Sequence, residues 1–182
     1  LGGVGDGITK NTKAINMAIT TCSLDGGGTV IVPEGTYMTG TIELKDNVTF
    51  KVSKGATILG SPDHADYKFF RRPYFRYFRE KIADSLEYLV MAYKCKNVTI
   101  CGEGTINGNG KAFWKPYDSL PAWIHAKSDR VSNMIEAHYC ENLVIKDVRL
   151  EMSPEWTVHI FDSKNIRIEG ITIDNGLFGP NN

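Results

Sequence analysis

Apolar residues in this chain come in short alternating runs, and the runs repeat. Asn142-Leu-Val-Ile returns 23 residues later as Asn165-Ile-Arg-Ile, and Asn47-Val-Thr-Phe and Asn97-Val-Thr-Ile carry the same pattern upstream. Short β-rich runs recurring every 20 to 25 residues or so predict a solenoid, here a parallel β-helix. Each repeat then adds one strand to each of several parallel sheets, with neighbouring turns about 4.8 Å apart. An Asn recurring at one corner can stack on the Asn of the next turn and satisfy buried backbone at the bend.

The same register assigns faces. Val90, Ile135 and Val158 lie seven residues before their corner Asn, and Ala92, Ala137 and Ile160 lie five before. These small or apolar side chains should point into the coil. Strand side chains alternate, so Met91, Glu136 and His159, with Tyr93, His138 and Phe161, should point outward on one sheet. An acid, imidazoles and rings stacked on one outer face suit a binding groove. The plainer expectation is an ordinary solvated sheet face.

Before the coil, Gly5-Asp-Gly reads as a turn. Ile15, Ala18, Ile19 and Cys22 then recur at helical spacing, with Asn11 or Thr12 as the N-cap. This short amphipathic helix, of about ten residues, should plug the open apolar end of the first turn. Gly26-Gly-Gly ends it, and strands begin at Thr29-Val-Ile-Val.

Two stretches break the pattern. Between Ser61 and Ser85 the chain interleaves basic and aromatic residues, as in Tyr67-Lys-Phe-Phe-Arg-Arg. Such a tract suits single-stranded nucleic acid, but it equally suits a loop beside a cleft, with rings stacking on sugars and Arg pairing with carboxylates. The rings could also simply pack the loop onto the coil. The second break, from about Lys111 to Arg130, carries Trp114, Trp123 and His125. Asn97 and Asn142 are 45 residues apart, which fits one turn bearing an insert or two plain turns. The missing repeat signature favours the insert.

Composition narrows the function classes. Lys+Arg and Asp+Glu both number 21, giving a net charge of zero, so bulk charge argues for neither nucleic acid nor an anionic membrane. No apolar run approaches the roughly 20 residues of a membrane span. Gly102-Glu-Gly lacks the βαβ context of a nucleotide site. Cys22, Cys95, Cys101 and Cys140 have no metal-ligand spacing. Cys95 and Cys140 each precede a corner Asn by two residues, which predicts stacked free thiols, with a disulfide as the alternative.

Several stretches, in order, are similar to one known family. They are Gly5-Asp-Gly with its helix, GGGTVIVPEGTYMTG, GATILGS, GEGTINGNG followed by Trp114, SPEWTVH and ITIDNGLFGPNN. Together the chain resembles the N-terminal half of the polygalacturonase-like glycoside hydrolases, family 28. Arg130-Val-Ser stands where that family commonly has Arg-Pro, and Asn182 where it commonly has Thr.

The resemblance implies a single all-β domain over residues 1–182: a right-handed, single-stranded parallel β-helix with an N-terminal capping helix. It also implies a chain truncated at both ends. The substrate class it implies is α-1,4-linked galacturonate in pectin or oligogalacturonides, cleaved with inversion by paired carboxylates and without a cofactor. In the family the first catalytic carboxylate follows the tripeptide matched by Pro180-Asn181-Asn182, so no catalytic residue is expected in this chain. Trp156, His159, Glu136 and Asn181 are the expected substrate-binding residues. A metal bound by His159 and Glu136 wants a third ligand and is not expected. If the coil stops at Asn182, its uncovered last turn should favour self-association. Two alternatives stay open: a β-helix polysaccharide lyase, which needs a Ca²⁺-binding acidic cluster not seen here, and a non-catalytic carbohydrate-binding or structural β-helix.

Overall fold

The computed structural model describes residues 2–71, 85–114 and 130–176. Trp123, His125, Asn181 and the centre of the basic-aromatic tract lie outside them. Among the described residues, three parallel sheets wind around one apolar core. The first stacks β1 (Asp6–Lys10), β3 (Gly35–Thr39), β6 (Ala56–Gly60), β11 (Thr105–Asn107), β14 (Arg149–Glu151) and β17 (Thr172–Asp174). The second stacks β2 (Gly28–Val32), β5 (Val48–Val52), β10 (Lys96–Cys101), β13 (Glu141–Lys146) and β16 (Lys164–Glu169). The third stacks β4 (Ile42–Leu44), β9 (Val90–Tyr93), β12 (Ile135–His138) and β15 (Val158–Phe161). The fold is a right-handed parallel β-helix.

Stacked apolar columns hold the register. In the second sheet Val30, Phe50, Ile100, Ile145 and Ile168 align turn upon turn. A slip of one residue would turn each column to the other face, so core burial itself fixes the pairing. β10 pairs directly with β13, so the 45-residue spacing is one turn carrying an insert. The earlier excursion leaves and re-enters through an antiparallel hairpin, β7 (Phe69–Arg71) with β8 (Ser85–Glu87). At its root Tyr67 is buried and donates to the Ser61 carbonyl at 2.8 Å, while Lys68 pairs with Glu43 at 2.8 Å.

The corner asparagines form a ladder. Asn97 Nδ2 donates to Asn47 Oδ1 at 2.8 Å, Asn142 to Asn97 at 2.8 Å, and Asn165 to Asn142 at 3.0 Å. All four are left-handed, with φ between 56° and 61°, a conformation Asn tolerates better than most residues. The side chains satisfy one another at an exposed corner; they do not cap buried backbone as expected. Asn142→Ala removes two ladder bonds and puts a Cβ-bearing apolar residue at φ 59°. We expect a loss of about 1–3 kcal/mol in thermal unfolding, with Asn142→Gly costing less because glycine accepts that φ.

The helix α1 (Thr12–Leu24) is longer than expected and packs on β4, β2 and β5. Ile19 is 0% exposed and Ile15 is 8% exposed, so the predicted face covers the coil. Asn11 occupies the N-cap without capping the helix through its side chain. Its amide instead ties the N-terminal strand, accepting from Val4 N at 2.7 Å and donating to Thr9 O at 2.6 Å. Cys95 and Cys140 are buried free thiols on adjacent turns, the favoured of the two expectations. The neighbouring Cys140 thiol, together with burial, pushes the Cys95 thiol well up.

Candidate functional site

The third sheet carries the polar outer residues. β12 and β15 pair in register, Glu136 opposite His159 and His138 opposite Phe161, with Met91 and Tyr93 of β9 one turn back. Val90, Ala92, Ile135 and Ala137 fill the core as expected, and Val158 and Ile160 pack against it at the last turn. The alternation predicted from the sequence therefore holds.

Exposure does not follow it. Met91 (2%), Glu136 (0%) and His138 (2%) are buried even though they point away from the coil. This is no solvated face. Tyr93, Tyr139, His159 and Phe161 surround the His138 ring, with centroids 6.0 to 6.5 Å away. Each strand here exits through a left-handed residue, Lys94, Tyr139 or Asp162, and that corner sets the Tyr139 ring against its neighbours.

Glu136 is the hub. Its Oε1 accepts from His159 Nδ1 at 2.9 Å and also contacts His138 Nε2, while Oε2 accepts from Asn133 Nδ2 at 2.6 Å. Burial alone would raise its pKa, but the hydrogen bonds from His138, His159 and Asn133 outweigh it and hold the carboxyl at about 2. Glu136 is thus a fixed anion behind its neighbours, unable to reach solvent.

His159 and Trp156 form the accessible part. His159 is 26% exposed at its side chain and Trp156 is 47% exposed, with ring centroids 5.4 Å apart. The loop bearing Trp156 is pinned on both sides. Met134 N donates to the Trp156 carbonyl at 2.9 Å, and Ser153 Oγ does so at 3.0 Å. Asn175 bridges Ser153 N at 2.8 Å and Thr157 Oγ1 at 2.8 Å. Beside it, Glu155 accepts from Arg130 at 2.8 Å and from Ser132 at 2.6 Å. Arg130, at the family departure Arg130-Val-Ser, is anchored here.

Sequence reasoning brought Glu136, His159 and Trp156 to one place, and the structure joins them. It also supplies what the sequence reading lacked: a third group able to hold a metal. His138 offers a ligand atom within 4.8 Å of those of Glu136 and His159. Position i+2 on one strand was the available signal. Asn133, which orients Glu136, lay in no recognisable pattern.

Comparison with known proteins decides the family. The model for glycosyl hydrolases family 28 matches residues 22–182. The chain belongs to that family. It is 34% identical to an exo-poly-alpha-D-galacturonosidase of Dickeya chrysanthemi over 143 residues, covering 72% of this chain and 23% of that protein. It is 27% identical to an exopolygalacturonase of Zea mays, covering 98% of this chain and 45% of that one. Among solved structures, an exopolygalacturonase from Thermotoga maritima superposes with a TM-score of 0.75 at 29% identity, covering 99% of this chain and 46% of its own. The family 28 exopolygalacturonase of Yersinia enterocolitica gives 0.73 at 25% identity, covering 94% of this chain and 37% of its own. Against curated polygalacturonases, this family 28 chain spans between 23% and 45% of their length.

Proposed function

We propose that this chain forms the N-terminal part of an inverting glycoside hydrolase that cleaves α-1,4-linked galacturonate in pectin or oligogalacturonides. The third sheet forms one wall of its sugar groove. The observation that carries this reading is the exposed Trp156 ring set beside His159, whose own ring is fixed from behind by buried Glu136. An aromatic face suits a sugar ring, and an oriented imidazole suits a hydroxyl or carboxylate. Family membership and the galacturonate-cleaving relatives support the substrate class. In this reading Glu136 touches no sugar; it positions His159. Asn181 falls outside the described residues and is proposed to sit beside a catalytic carboxylate that the longer protein supplies.

The test uses the longer protein. His159→Ala should lower kcat/KM on oligogalacturonides by about 10- to 100-fold, the worth of one charge-assisted hydrogen bond. Trp156→Ala should lower it by roughly 3- to 10-fold from the lost ring contact. Circular dichroism should show both variants folded, since neither side chain belongs to the coil core. Parent-like activity in both would remove this sheet from the groove.

A further inference from the structure

The cluster behind His159 has a second property. Glu136 and His138 stand at i and i+2 on one face of β12, and His159 is the direct cross-strand neighbour of Glu136 on β15. This arrangement converges three side chains on one point without any loop. Their candidate ligand atoms lie within 4.8 Å of one another, two of the three residues being buried. Two imidazoles with one carboxylate make a donor set that suits first-row transition metals over calcium or magnesium, which prefer all-oxygen sites.

We propose that Glu136, His138 and His159 bind a divalent transition-metal ion of the zinc class. Ligand atoms at about 2.0–2.2 Å from zinc stand roughly 3–3.5 Å from one another. The Glu136–His159 pair, at 2.9 Å, therefore needs to open only slightly to admit the ion. A buried outer partner is already in place, because Asn133 donates to Glu136 Oε2 at 2.6 Å and fixes the carboxylate. Asn133 is 0% exposed, and its Oδ1 makes no hydrogen bond among the described residues, leaving an acceptor for a metal-bound water beside the cluster.

The protons balance simply. In the metal-free form both imidazoles donate N–H to Glu136 Oε1. On binding, Nδ1 of His159 and Nε2 of His138 become lone-pair ligands. Each N–H proton moves to the other nitrogen of its ring, or leaves to solvent where the ring was cationic. Where the ring was neutral, His159 Nε2, which has no hydrogen-bond partner among the described residues, thereby becomes an N–H donor. For a neutral ring the ion would thus convert the accessible edge of His159 from acceptor to donor; for a cationic ring it would keep the donor and remove the positive charge of the imidazolium.

Metal uptake is read without substrate, so the outcome is separate from that of the sugar-groove reading. Chelator-treated protein is titrated with Zn²⁺ by calorimetry, and Co²⁺ is added to a parallel sample for its visible spectrum. We expect one Zn²⁺ per chain and cobalt d–d bands with no thiolate-to-cobalt charge transfer. His159→Gln is the deciding variant, since its side chain is 26% exposed and its change leaves the core intact. It should weaken binding by more than the roughly 10- to 100-fold expected of Asn133→Ala, which removes an outer-shell partner. Absence of stoichiometric uptake by the unmutated protein overturns the proposal. So does uptake unchanged in His159→Gln, or a thiolate band, which would place the ion at one of the free cysteines.

Discussion

Ile19→Asp should leave most of the protein unfolded at room temperature. Ile19 is 0% exposed, on the helix that closes the first turn. Ile19 and Ile15 both belong to the apolar core that continues through Val32, Phe50 and Val52. An aspartate there loses the transfer and cavity contributions of the isoleucine, about 2–5 kcal/mol for truncation alone. It also buries a charge with no partner, or folds only with the carboxyl protonated. Total stabilities of about 5–15 kcal/mol leave little after that. Far-ultraviolet circular dichroism and a thermal melt provide the check, with Ile19→Leu as a near-neutral control. A melting temperature within a few degrees of the parent would mean that the helix rests on the coil without sealing it.

Much of this fold was legible because a solenoid writes its period into the chain. The corner Asn recurs, the residues five and seven before it are apolar, and the structure stacks those positions on one another. The covering helix was legible from Ile15 and Ile19 at helical spacing, but its last turn was not. Thr20, Thr21, Ser23 and Leu24 carry no periodic signal, and helix propensity alone is a weak guide there. β1 was also missed. Its DGITK has little apolar content, and Asp6 folds back on Ile8 N and Thr9 N at 2.8 and 2.7 Å, which reads as a turn. The backbone pairs with β3 despite that turn, with a register break between Asp6 and Lys10.

The site was legible in its direction and not in its depth. Alternation tells which way Glu136 and His138 point, but it says nothing of what lies over them. Beside them the Tyr139 ring packs edge-on against His138, and Trp156 of the 152–157 loop packs against His159. Their placement follows from left-handed corners at Tyr139 and Met152, with φ of 55° and 49°, residue types that do not announce such a conformation. A pattern of faces thus finds the residues and misjudges their exposure. For Glu136 this changes the chemistry: a solvent-facing acid could touch sugar, whereas a buried one held at about 2 orients the imidazoles around it.

That distinction bears on the remaining expected result: the 182-residue chain on its own should release no reducing sugar from polygalacturonate. Inverting hydrolysis needs a carboxylic acid to protonate the glycosidic oxygen and a carboxylate to activate water, about 6.5–9.5 Å apart. Among the described residues, Glu136 and Glu155 are the carboxyl groups that flank His159 and Trp156. Glu136 is 0% exposed, and with a pKa of about 2 it holds no proton to give near neutral pH. Glu155 is paired with Arg130 at 2.8 Å through one oxygen and accepts from Ser132 at 2.6 Å through the other, so both oxygens are occupied. Neither is placed as a general acid. Each positioned acid or base typically contributes about 10²- to 10⁴-fold, so loss of both puts turnover below detection in a reducing-sugar assay. The longer protein, assayed in parallel, should be active. Hydrolysis by the isolated chain would show that carboxyl groups within these 182 residues carry out the proton transfers, and the assignment of this sheet as a wall that only binds and orients would then fall.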